Sequence, residues 1–258
     1  MCTTGAKILR PGYEFVLFKN RDFKRQQFED RVFISDTAFA ALGLETWDGA
    51  GPDADRFSGF SIGFNQHLVC CDSNVQTIPN GANYDRLVQA VVENCTTIDE
   101  AAECVSDLVR AQSFCWANML VATPEGLAAL EIRDRHVEAE RQPIMIARAN
   151  HHVCLGAHPD DDDTSTTQLR YQSALTGLES VSNIAALVAL LRSHEPDPQH
   201  SICNHGLYDT VYSYIVHFND GETTLYVLQG HPCEGEYVRV PIEFGAINDL
   251  SFYPSRNA

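Results

Sequence analysis

The order of strand-like and helix-like segments is the strongest constraint this chain places on its fold. Apolar or alternating runs at 7–9, 13–18, 31–34, 60–65 and 67–71 come first. Two helical stretches follow. Within 84–94, Leu87, Val88, Val91 and Val92 repeat with helical spacing. Thr97 with Glu100 three residues on is a capping-box signature, and it opens a helix that runs through Val109. Strands return at 117–122 and 127–132, and 135–140 and 144–148 read as continuing the same sheet. Helices are expected over about 165–178 and 184–192, with Ser182 as the N-cap of the second and Pro196 and Pro198 as its stop. Strands at 211–218 and 223–228 flank the turn Asn219-Asp220-Gly221. Residues 43–58, rich in Gly and Asp, read as a surface loop. This order predicts a single domain of the α+β class over 1–258, with antiparallel sheets between helix layers.

Composition narrows the function. Asp and Glu number 35 against 18 Lys and Arg, a formal net charge of −17. Such a surface repels phosphate backbones and anionic membranes, so neither nucleic acid nor membrane is an expected partner. No apolar run is long enough to span a bilayer. The leading residues lack a basic segment followed by an apolar one, so a cytoplasmic location is expected.

The nine cysteines are odd in number and form no repeated Cys-x-x-Cys pair, so most are expected to be buried thiols. Cys70 and Cys71 should face opposite sides of a strand. Cys203 and His205 read as a buried thiol beside a loop histidine. His151, His152 and His158 read as pocket or loop residues, and the acidic run 160–163 as the favourably charged entry to a helix. No metal and no cofactor are expected.

Cys2 carries the most chemical information. Initiator Met is trimmed before small side chains, which would leave a thiol and a free α-amine on one residue. The amine has an intrinsic pKa of about 7.7–8.0 and the thiol about 8.5. Nucleophile and general base would then sit together. The segment Lys19-Asn20-Arg21-Asp22 adds a carboxylate to hold an α-ammonium and cations to stabilise a thiolate.

These residues resemble the start of cysteine N-terminal-nucleophile hydrolases, in particular the acyl-CoA:6-aminopenicillanic acid acyltransferase-like proteins and the choloylglycine hydrolases. Cys2-Thr3-Thr4 is also shared with a dipeptidase group, for which this chain is short. Further matches run in order along the chain: Gly63-Phe64-Asn65-Gln66-His67-Leu68 followed by Asn74; Ala117-Asn118-Met119-Leu120 with Gly126 to Glu131; Ala149-Asn150-His151-His152; Thr210-Val211; and Gly230-His231-Pro232-Cys233.

The resemblance implies a four-layer αββα sandwich with antiparallel sheets, the N-terminal-nucleophile hydrolase fold. It implies Cys2 as nucleophile with its own amine as base, and Asp22 as the group orienting the N-terminus. Asn150 and Asn74 would be the oxyanion donors. Lys19 stands where choloylglycine hydrolases carry Arg, and Arg21 is the alternative cation. Strand alternation is expected to turn Arg21 away from both Lys19 and Asp22. No match to the late Arg of the choloylglycine site occurs around 212–216, which favours the acyltransferase-like group.

Only Met1 precedes Cys2, so no autoproteolysis is expected. The implied activity is cleavage of a linear amide through a thioester, or transfer of its acyl group, on a small-molecule substrate by a homo-oligomer. Loops at 36–58, 75–83 and 155–165 would set specificity. The alternative is a non-catalytic binder of small ligands with Cys2 blocked by Met1.

Overall fold

The computed structural model describes residues 1–23, 28–34, 41–48, 58–157 and 165–244. Its first hairpin joins β1 (Cys2–Arg10) to β2 (Glu14–Phe23). There follow β3 (Phe28–Ile34), β4 (Leu42–Asp48), β5 (Ile62–Phe64) and β6 (Val69–Gln76), then helices α1 (Asp85–Asn94) and α2 (Ile98–Ala111). Next come β7 (Trp116–Thr123), β8 (Gly126–Arg133), β9 (His136–Gln142) and β10 (Met145–Arg148). Helices α3 (Ser165–Ser180) and α4 (Ile184–Leu191) precede β11 (Asp209–Asn219), β12 (Glu222–Gln229) and β13 (Val238–Ile242).

The strands form two sheets. Sheet one runs β10-β1-β2-β11-β12-β13, and sheet two runs from β3 to β9 in chain order. Every strand pairing is antiparallel. One apolar core lies between the sheets, built from residues such as Phe15, Leu17, Phe64, Leu120, Ala129 and Val216. The outer face of sheet two packs on α1 and α2 through Leu87, Val91, Val105 and Val109. The outer face of sheet one packs on α3 and α4 through Ala174, Leu178, Leu187 and Leu191. The result is the expected αββα sandwich.

Local signals explain where the elements start. Thr97 Oγ1 accepts from Glu100 N while the Glu100 side chain accepts from Thr97 N, so the capping box is complete. Cys70 faces the helix layer and Cys71 the inter-sheet core, as strand alternation requires.

Several expectations are corrected. The first part of the 43–58 segment is strand β4, with Leu42 and Leu44 buried between the sheets. Gly43 serves close packing there, since a Cβ would lie 2.1 Å from Phe60 Cγ. Residues 49–57 lie outside the described residues. β9 and β10 do not continue one sheet: β10 crosses to sheet one and pairs with β1. The cap of α4 is Asn183, whose Oδ1 accepts from Ala186 N, and not Ser182. No strand is expected over 238–242, where the structure has β13. Pro241 obscured it, and β13 is an edge strand, where a missing N–H is tolerated.

Thr97→Ala should lower stability by about 1 kcal/mol through loss of the cap. A urea midpoint that falls at unchanged slope checks this.

Candidate active site

The site is built on the end of the β1–β2 pairing farthest from the hairpin turn. Cys2 pairs with Arg21, and Arg21 with Tyr212 on β11; Thr4, Lys19 and Tyr214 form the next row. Ala6, Ile8, Leu17, Tyr212 and Tyr214 all contribute to the inter-sheet core, so alternation puts Cys2, Lys19 and Arg21 on the same inner face. Asn20 and Asp22 face the α3/α4 layer instead. Arg21 therefore shares its face with Lys19, contrary to the expectation, and only Asp22 is opposite. The side chain of Cys2 is 7% exposed.

Met1 extends the pairing by one residue. Its α-ammonium donates to Asp22 O at 2.6 Å, and its carbonyl accepts from Asp22 N at 2.7 Å. Burial lowers the pKa of this amine, while Cys2 and Asp22 oppose the shift. With Met1 in place the Cys2 nitrogen is an amide, and it donates to Asn150 Oδ1 at 2.8 Å.

Arg170 on α3 ties these pieces together and was not anticipated. Its Nη1 donates to Cys2 O at 2.8 Å and Thr3 Oγ1 at 2.9 Å, and its Nη2 to Asn150 Oδ1 at 2.9 Å. Nη1 lies 3.5 Å from Asp22 Oδ2, and both side chains are fully buried. Thr210 Oγ1 donates to Asp22 Oδ1 at 2.7 Å. Burial pushes the Asp22 carboxyl up to about 6, against the pull of Arg170 and the α-ammonium. One signal for Arg170 was present: it falls in the stripe Thr167, Arg170, Ala174, Leu178 that α3 buries, while Leu169 beside it is exposed.

Asn150 sits just after β10. Its Nδ2 donates to the backbone carbonyl of Asn74 at 2.5 Å, and its own N–H donates to Thr167 Oγ1 at 2.6 Å. Asn74 thus meets Asn150 through its backbone, and its buried side-chain oxygen has no hydrogen-bond partner among the described residues. The motif residues Asn118 and Glu131 hold the Asn150 loop on both sides. Asn118 Nδ2 donates to Ala149 O at 2.8 Å and His151 O at 3.0 Å. Buried Glu131 accepts from Arg148 Nε and from the N–H groups of Val153, Cys154 and Leu155, at 2.8–2.9 Å.

The two inward cations differ. Lys19 Nζ crosses to sheet two, donating to Ser61 O at 2.7 Å and Asp72 Oδ1 at 2.8 Å. Burial opposes its charge, yet Asp72 and then Cys2 favour it, and the net effect holds the ammonium protonated. Arg21 is paired with Asp30, which also accepts from Tyr214 and, at 3.0 Å, from Thr46. One strand beyond Arg21, a pocket of about 270 Å³ opens between the sheets, lined by Asp30, Leu44, Tyr212, Tyr214, Val227 and Leu228 among others. Much of the loop set expected to shape specificity, 36–40, 49–57 and 158–164, lies outside the described residues, as do His158 and the acidic run.

His151 Nδ1 lies 3.1 Å from Thr167 Oγ1, and burial pushes its pKa down to about 4, so the ring is neutral at pH 7. Among the described residues neither His151 nor His152 joins a cluster with metal-binding geometry; such a cluster forms elsewhere, around Cys203 and His205.

Two antiparallel sheets between helix pairs, with a cysteine at the head of a central strand, define an N-terminal-nucleophile sandwich. A family model described as acyl-coenzyme A:6-aminopenicillanic acid acyl-transferase matches residues 9–233. The chain belongs to this family, whose chemistry is acyl transfer or amide hydrolysis. The match includes Lys19, Asp22, Asn74 and Asn150 and begins after Cys2. A search of individually curated proteins finds no match. No helix among the described residues is long and apolar enough to cross a membrane.

Glu131→Gln should cost about 2–3 kcal/mol, because an amide cannot accept from all four donors. Hydrogen exchange checks the cause: the amides of Val153, Cys154 and Leu155 should exchange faster than in the parent.

Proposed function

We propose that the chain, once Met1 is removed, cleaves a linear amide or transfers its acyl group through a thioester on Cys2. The observation that carries this reading is the Cys2 nitrogen, fixed 2.8 Å from Asn150 Oδ1 at the head of β1. Removing Met1 turns that nitrogen into an amine at the head of β1.

The amine takes the Cys2 thiol proton, directly or through water, and the sulfur attacks the substrate carbonyl carbon. Asn150 Nδ2 and the Asn74 side-chain amide donate to the oxyanion. Neutral amides suit this role, since they meet developing charge without having to ionise. The tetrahedral adduct collapses, the carbon–nitrogen bond breaks, and the leaving amine takes the proton from the Cys2 ammonium. Water then attacks the thioester, gives its proton to the same amine, and expels the sulfur. An acceptor amine in place of water makes the reaction an acyl transfer; hydrolysis is the default.

Lys19 is an inward cation on the Cys2 face and brings positive charge to the site. Arg21 is engaged by Asp30 and serves the wall of the site. Asp22 and Arg170 are positioning residues. Asp22 anchors Arg170, and Arg170 fixes both Cys2 O and Asn150 Oδ1. The inter-sheet pocket supplies apolar walls for the acyl portion of a small-molecule substrate. A homo-oligomer remains part of this proposal.

The test is a mass-spectrometric panel of N-acyl amino acids, penicillin V, conjugated bile acids and dipeptides. Cys2→Ala should abolish turnover with the fold intact, and undiminished activity would refute the mechanism. Cys2→Ser should be much slower, since an alcohol is the weaker nucleophile at neutral pH; a serine enzyme equal to the parent counts against thiolate attack. Iodoacetamide should label Cys2 ahead of Cys95 and Cys104. Labelling no faster than at those two cysteines, with Met1 retained, favours the binder.

The Asp22 shift gives a pH prediction. Above about pH 6 the carboxylate is charged and holds Arg170; as pH falls through that value it takes a proton and the anchor weakens. The kcat/KM profile should therefore show, below the limb set by the Cys2 amine, a second acidic limb where Asp22 takes up its proton. Asp22→Asn should remove that limb and lower the plateau by about 10²-fold, the scale expected for misplacement of reacting groups. Identical profiles would take Asp22 out of the site.

A further inference from the structure

Four residues that the acyl-group chemistry does not use converge just beyond the C-terminus of α4. His194 follows α4, Cys203 and His205 lie on the segment leading into β11, and Cys233 lies between β12 and β13. Their ligand atoms all fall within 4.8 Å of one another. His194 Nε2 is 3.2 Å from His205 Nε2, which is 3.6 Å from Cys203 Sγ and 3.3 Å from Cys233 Sγ. A tetrahedral zinc site with Zn–N of about 2.05 Å and Zn–S of about 2.3 Å has edges of about 3.3 Å for N···N and about 3.6 Å for N···S. The three distances fall within about 0.3 Å of those edges.

We propose that His194, Cys203, His205 and Cys233 bind one structural zinc ion. This revises the reading of Cys203 and His205 as a thiol beside a loop histidine. Two thiolates and two neutral imidazoles balance a dication, and sulfur–nitrogen ligation selects zinc over magnesium or calcium. Four protein ligands leave no open position for water or substrate, so the ion is structural and takes no part in the acyl chemistry.

The surroundings suit the role. Cys203 N donates to Ser193 O at 3.1 Å and His205 N to Pro198 O at 2.7 Å, so the backbone presets two ligand-bearing turns. His231 stacks on His205 with ring centroids 3.9 Å apart. Its own nitrogens are engaged by Asp209 at 2.7 Å and Glu234 at 3.2 Å, which keeps it out of the ligand set.

The ion has a route to the active site. Between ligands Cys203 and His205 lies Asn204, whose N–H donates to Thr210 Oγ1 and whose carbonyl accepts from Thr210 N, both at 2.8 Å. Thr210 Oγ1 in turn donates to Asp22 Oδ1. Beside it, Ile202 O accepts from Asn20 Nδ2 at 2.9 Å. Zinc therefore clamps the segment that seats Asp22.

The test uses the full chain without a polyhistidine tag, purified from zinc-supplemented cells with no chelator. Elemental analysis should find about one zinc per chain, and cobalt exchange should give the visible absorption of a tetrahedral thiolate complex. Cys233→Ser should lose the metal on gel filtration, while Cys104→Ser should keep it. If Cys233→Ser fails to fold, alkylation of the parent decides: Cys203 and Cys233 should be protected until a chelator is added. Less than about 0.1 zinc per chain with both thiols freely alkylated overturns the proposal. A Cys203–Cys233 disulfide, or full zinc content in Cys233→Ser, overturns it as well. These readouts do not depend on catalysis, so they stand or fall apart from the acyl-transfer reading.

Discussion

A guanidinium shut away from water needs a counter-charge and acceptors in fixed positions, because an unpaired buried charge is among the most costly features a fold can carry. Arg170 meets that demand with Asp22, Cys2 O, Thr3 Oγ1 and Asn150 Oδ1. Those partners come from β1, β2 and the segment after β10. Satisfying one side chain of α3 therefore fixes the N-terminus, the β2 carboxylate and the Asn150 loop relative to one another. The rest of the site inherits its geometry from this contact.

Strand alternation then divides the labour. On β2, Lys19 and Arg21 point between the sheets, towards Asp72 and Asp30 of sheet two, while Asn20 and Asp22 point towards the outer helices. Cys2 and the cations Lys19 and Arg21 occupy the inner face, and the buried Asp22–Arg170 pair the outer one. The Asn150 loop is braced similarly, by Asn118 from β7 and Glu131 from β8. In this way sheet two holds Asn150 against the Cys2 nitrogen on sheet one.

Local features of this architecture were legible in the sequence, and long-range ones were not. The Thr97–Glu100 box, the helical spacing in 84–94 and the placement of Cys70 and Cys71 depend on neighbours a few residues away. Asn118 and Glu131 are visible as motif residues, but the partners they brace around Asn150 are 17 to 33 residues distant, so that role is hidden in the sequence. β4 was missed because Gly43 marks a close approach to Phe60, which looks the same in sequence as a loop glycine. The placement of Arg21 failed on the counting of alternation alone. Arg170 was hidden because an arginine in a polar-looking helix reads as solvated until the opposing carboxylate is seen. The His194–Cys233 cluster spans irregular spacings and gathers only when three loops meet.

In the proposed mechanism the amine and thiol of Cys2 act together once Met1 is gone. Its most direct test compares two otherwise identical chains, one beginning at Cys2 and one retaining Met1, under single turnover with an active amide substrate. The chain beginning at Cys2 should accumulate an acyl adduct on that residue, seen as a mass increase, while the Met1-bearing chain should show none. Equal rates of adduct formation in the two chains would contradict the account.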